Sequence, residues 1–101
     1  MKVQPTNWNI LFIDDSKTEI NYLKLFFQLS NVPLNPSFIN YAPDAIKVLG
    51  ALKENEFPDI IIVDINMPLM DGFEFAKAYF NTFSEKYTNT RLFIYLSLIH
   101  I

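Results

Sequence analysis

Three aspartates stand where they could hold a metal and carry phosphoryl chemistry. Asp14 and Asp15 close the apolar run Ile10-Leu11-Phe12-Ile13, and Asp64 closes Ile60-Ile61-Ile62-Val63. Short apolar runs without alternation read as strands buried on both faces. Acids at their carboxyl ends lie where open α/β sheets bind ligands, at the point where the strand order reverses. If the two strands are neighbours, the three carboxylates converge, and their repulsion is unfavourable unless a cation sits among them. Hard oxygen donors of this kind favour magnesium, which is commonly held by one or two carboxylates together with a phosphate. Such a pocket suits in-line attack of a carboxylate on phosphorus while the metal neutralises charge on the transferring group.

The elements that must position these acids follow from periodicity. From Ser16 to about Ser30, Ile20, Leu23 and Phe27 recur at helical spacing, with Tyr22, Phe26 and Leu29 widening the stripe. Ser16, with Glu19 three residues on, is an N-cap signature. The stretch 31–37 carries two prolines and reads as a connection into Phe38-Ile39-Asn40-Tyr41, a weak strand suited to an edge. Pro43 opens a second helix with Ala45, Ile46, Leu49 and Leu52 on its buried stripe. Asp59 closes the turn before the β-branched run Ile60–Val63, the strongest strand signal in the chain. In the loop that follows, Met67 and Pro68 shape the backbone, and Asp71-Gly72 is a turn with an acid near a helix N-terminus. A third helix runs from about Phe73 to Ser84 with Phe73, Ala76, Phe80 and Phe83 in register, an aromatic stripe read as core. Lys86 to Thr90 is a polar turn and Arg91 to Leu96 a fourth strand. Strand and helix alternating three times before a last strand imply right-handed parallel crossovers, hence a doubly wound α/β sheet with helices on both faces.

Composition narrows the function classes. Half of the 101 residues are apolar and 19% are charged, which suits one globular domain. A net charge of −3 and a pI near 4.9 argue against direct contact with nucleic acid or an anionic membrane, since either needs a basic face. Cysteine is absent, which removes disulfides, thiolate zinc sites and thiol nucleophiles. No stretch has the length and apolarity of a signal peptide or a membrane span, so the expected compartment is the cytoplasm. The one histidine, His100, stands at the chain end and is set aside as a phosphocarrier.

Asp14-Asp15 after an apolar strand, together with Asp64-Ile65-Asn66-Met67-Pro68-Leu69-Met70-Asp71-Gly72, resembles the receiver domains of two-component response regulators. The resemblance covers nearly the whole chain, giving a receiver domain over 8–101 after an N-terminal extension over 1–7. It implies a flavodoxin-like sheet with strand order 2-1-3-4. It further implies that Asp64 is the phosphoacceptor, that Asp15 and Asp64 contact Mg2+ directly, that Asn66 offers it a backbone carbonyl, and that Asp14 acts through a metal-bound water. Ser97 falls where the family has the hydroxyl that binds the phosphoryl group and begins the switch. The implied phosphodonor is a histidine kinase or histidine phosphotransfer protein, and the output partner is unnamed. The family's fifth strand, with its phosphate-binding lysine, and its last two helices have no counterpart, so a C-terminally incomplete domain with an exposed fourth strand is expected. The closing Leu96-Ser97-Leu98-Ile99-His100-Ile101 resembles a translated transposase-type sequencing adapter, which leads us to expect that the chain does not end at a natural stop. Two other readings compete: a pseudo-receiver that binds partners without phosphoryl turnover, and a magnesium phosphohydrolase. The hydrolase signature wants a second acid two residues after the nucleophile, where this chain has Asn66.

Overall fold

The two most continuous apolar runs lie side by side as parallel strands, Ile10 opposite Ile60 and Ile13 opposite Val63. The computed structural model describes residues 7–83 and 89–96. Along these run β1 (Trp8–Ile13), α1 (Lys17–Leu29), β2 (Leu34–Ile39), α2 (Ala42–Gly50), a 3-10 turn (Glu54–Glu56), β3 (Ile60–Asp64), α3 (Gly72–Phe83) and β4 (Arg91–Tyr95). Every strand pairing is parallel and the order is β2-β1-β3-β4, the doubly wound arrangement that the alternation of elements implies. From β1 the chain steps outward to β2 and then back across to β3, so the order reverses beside the strand ends that carry the acids.

Strand alternation divides the apolar residues between two layers. Leu11, Ile13, Ile61 and Val63 join Ala42, Ala45 and Leu49 of α2 and Phe75, Tyr79 and Phe83 of α3 in the main core, closed by Phe57 and Met67. On the other face Phe12 stacks on Phe38, with ring centroids 5.5 Å apart, and lies 5.8 Å from Phe27 of α1. Burying one such side chain stabilises the fold by roughly 1.5–3 kcal/mol, so the four buried residues of β1, Ile10 to Ile13, anchor both layers at once.

Three sequence expectations need correction. β2 begins at Leu34 and ends at Ile39, so Pro36 lies inside it, opposite Ile10, whereas Asn40 and Tyr41 lie outside. An edge strand leaves half its backbone groups unpaired, which lets it tolerate a residue with no N–H. In α1, Ile20 is buried and Leu23 and Phe27 half-buried, while Tyr22, Phe26 and Leu29 are exposed. Two residues along a helix turn through roughly 200°, which carries Tyr22 and its companions to the side away from the sheet. In α3 the buried residues are Gly72, Phe75, Tyr79 and Phe83, and Phe73 and Phe80 face outward at 62% and 52% exposure. The position of Gly72, pressed against β3, fixes the rotation of that helix.

Candidate functional site

Asp14 follows Ile13, the partner of Val63, and therefore stands next to Asp64 on the neighbouring strand. Asp14, Asp15 and Asp64 each present a carboxylate oxygen, and these atoms lie within 4.8 Å of one another. Asp14 and Asp64 are fully buried, and Asp15 is half-buried at the rim. Two full charges at that separation repel by roughly 3–4 kcal/mol at an effective dielectric constant of about 20. A divalent cation bound among the three carboxylates offsets that repulsion, and its preference for hard oxygen ligands matches the donor set, so the residues fit magnesium.

Local turns hold the acids in place. The backbone N–H of Ser16 donates to Asp14 Oδ1 at 2.9 Å, and that of Asn66 to Asp64 Oδ1 at 3.1 Å. Each acid thereby ends its strand and turns the chain, as aspartate does in short local motifs. Ser16 Oγ accepts from the N–H of Glu19 at 3.2 Å and caps α1, as the sequence signature indicates. Asn66, the expected backbone ligand, lies exposed in the loop two residues beyond Asp64. At the end of that loop Asp71 and Glu74 form a reciprocal capping box, with N–H to carboxylate distances of 2.8 and 3.0 Å. Gly72 passes so close to β3 that a Cβ there would meet the Asp64 carbonyl oxygen at 2.9 Å. Asp59 accepts from the N–H of Asn9 through Oδ2 at 2.8 Å, tying the starts of β1 and β3 together.

Sequence reasoning missed Tyr95. It is the Cα partner of Asp64, and its hydroxyl donates to Asp14 Oδ2 across the pocket. Its pKa is raised, first by burial, then by donation to Asp14 and by the negative charges of Asp14, Glu19 and Asp64. The available signal was its place as last residue of a strand adjoining β3. Ser97 and His100 lie outside the described residues, as do residues 1–6 of the expected extension. Asn7, the last residue of that extension, donates through Nδ2 to Asn35 Oδ1 at 3.1 Å. A groove of about 580 Å³ between β2, α2 and the 3-10 turn lies away from the acids, and among the described residues Glu56 is the one charged group that lines it. It gathers no set of ionisable groups that could do comparable chemistry. Among the described residues no helix is long and apolar enough to cross a membrane.

A parallel doubly wound sheet with metal-competent acids at its reversal point defines an α/β domain built around an acidic pocket. Residues 10–88 match the response regulator receiver domain family, and the chain belongs to it. The sensor histidine kinase CheAY of Helicobacter pylori is 36% identical over 76 residues, which are 74% of this chain and 9% of that protein. The protein-glutamate methylesterase/protein-glutamine glutaminase 1 of Chromobacterium violaceum is 35% identical over 69 residues, 68% of this chain and 18% of that protein. The chain thus spans less than a fifth of the length of either curated relative. Among solved structures, the chemotaxis protein CheY4 of Vibrio cholerae superposes with a TM-score of 0.64 at 26% identity, covering 87% of this chain and 67% of that one. The phosphorylated cyanobacterial phytochrome response regulator RcpA gives a TM-score of 0.72 at 21% identity, covering 93% and 68% respectively, and at that identity supports the fold alone.

Proposed function

We propose that this receiver domain, over 8–101, accepts a phosphoryl group on Asp64 with Mg2+ bound and thereby changes its affinity for an output partner. The single observation that carries this reading is the convergence of Asp14, Asp15 and Asp64 within 4.8 Å at the end of two adjacent strands. Asp15, Asp64 and the Asn66 carbonyl would hold the cation, with Asp14 acting through a bound water. When bound, the cation supplies positive charge that offsets the negative charge of the transferring group. The chain's own part is positional. β3 and the Asn66 N–H fix the Asp64 carboxylate, one oxygen of which attacks phosphorus as the phosphorus–nitrogen bond of a donor phosphohistidine breaks. The departing imidazole keeps the electron pair and takes a proton.

The likeness to a sensor histidine kinase supports a histidine kinase or phosphotransfer protein as donor, and a cytoplasmic location follows from such a partner. A pseudo-receiver is disfavoured, because three converging carboxylates are costly without a cation to use them. The test is incubation with a small acyl phosphate and magnesium, followed by intact mass. A long-lived single phosphoryl adduct is expected. No adduct would indicate a pseudo-receiver, and rapid donor turnover without an adduct a hydrolase.

A further inference from the structure

β4, β3 and β1 are successive neighbours, and Tyr95, Asp64 and Asp14 lie in one row across them. Two strand spacings separate Tyr95 from Asp14, roughly 10 Å between backbones, so the phenol must extend past Asp64 to reach its acceptor. There it donates to Asp14 Oδ2, while the Ser16 N–H donates to Oδ1 of the same carboxylate. A water bound to a divalent cation is also a hydrogen-bond donor, and it would approach Asp14 from inside the pocket.

We propose that Tyr95 is a latch on the acidic pocket: its hydroxyl holds Asp14 when no cation is bound and leaves that carboxylate when a divalent cation enters. This rests on the magnesium reading above and adds to it a positioning residue that opposes the cation. The phenol reaches Asp14 across the space beside Asp64 that a cation and its waters would take, so the two compete for that space, and because the phenol is uncharged it lowers the pocket's affinity without abolishing it. The end of β4 stays tied to the loop after β3, because the Tyr95 carbonyl accepts from the N–H of Ile65 at 2.7 Å, so release of the hydroxyl is a movement of the side chain alone.

The test is calorimetric titration of the 101-residue chain with magnesium chloride, comparing wild type, Y95F and, as a control away from the pocket, Y79F. A hydrogen bond to a charged group, lost from the cation-free state alone, predicts magnesium binding roughly ten- to a hundredfold tighter in Y95F. Y79F should match wild type. Saturating magnesium should also perturb the near-ultraviolet tyrosine spectrum of wild type and not that of Y95F. Unchanged or weaker affinity in Y95F overturns the latch and leaves the acidic pocket standing. Failure of wild type and Y95F alike to bind magnesium overturns both. If Y95F does not fold, the wild-type spectrum decides, and an unperturbed tyrosine signal at saturation rejects the latch.

Discussion

Replacing Gly72 with alanine probes the joint that ties the loop after Asp64 to the sheet. An ideal Cβ at this position would stand 2.9 Å from the Asp64 carbonyl oxygen, 3.0 Å from Ile65 Cα and 3.0 Å from Ile94 Cγ2. Carbon contacts relax at about 3.5–4 Å, so α3 or the end of β3 must move by roughly half an ångström. Two of the three obstructing atoms are backbone and cannot swing aside. Overpacking of this kind costs about 1–3 kcal/mol, and the lower chain entropy of unfolded alanine returns about 0.4–1 kcal/mol. The net expectation is a loss of about 1–2 kcal/mol, or about 4–15 °C in Tm for a domain of this size. Urea denaturation followed by circular dichroism measures it. The displaced backbone carries Asp64, so labelling by an acyl phosphate should also slow several-fold. A G72A protein as stable as wild type would refute the close-approach argument.

Three further outcomes are expected. D15A should weaken magnesium binding more than D14A does, since a direct ligand contributes more than one acting through water. Calorimetry is the suitable readout, because Trp8 starts β1 and lies roughly 20 Å along the strand from Asp14; equal affinities would remove the distinction. D71A removes one arm of the capping box on α3 and should cost about 1 kcal/mol in denaturation experiments, an argument that an unchanged midpoint would contradict. Burial raises the Tyr79 phenol above its ordinary value of 10.0. The folded chain thus holds that proton more tightly than the unfolded one, and the stability contribution, complete below pH 10, falls as pH rises beyond it. Y79F should flatten that alkaline decline, and an identical decline in both proteins would contradict the assignment.

Much of this arrangement is legible in the chain because two signals agree. Ile10–Ile13 and Ile60–Val63 have no polar position, so only burial on a parallel sheet suits them, and each ends abruptly in acid. Pro36 hides the start of β2, since two prolines within 31–37 read as a connection even where the strand that follows is read as an edge. In α3, aromatic residues at 73, 75, 79, 80 and 83 support more than one helical stripe. The close approach of Gly72 to Asp64 and Ile94 selects the stripe through Phe75 and Tyr79, and no local pattern encodes that contact. Tyr95 escaped for a related reason. A tyrosine in an apolar strand reads as core until pairing with β3 places its hydroxyl beside Asp14.

On the function proposed above, Asp64 is the phosphoacceptor of a magnesium-dependent receiver. Borohydride reduction after treatment with an acyl phosphate and magnesium converts an aspartyl phosphate to homoserine, which peptide mass spectrometry maps to a residue. Homoserine is expected at position 64, with none in the magnesium-free reaction and none in D64A, whose fold should persist because the lost Asn66 N–H bond is offset by relief of repulsion in the pocket. Homoserine at position 14, 15 or 71, or a D64A chain that labels as fully as wild type, would contradict it.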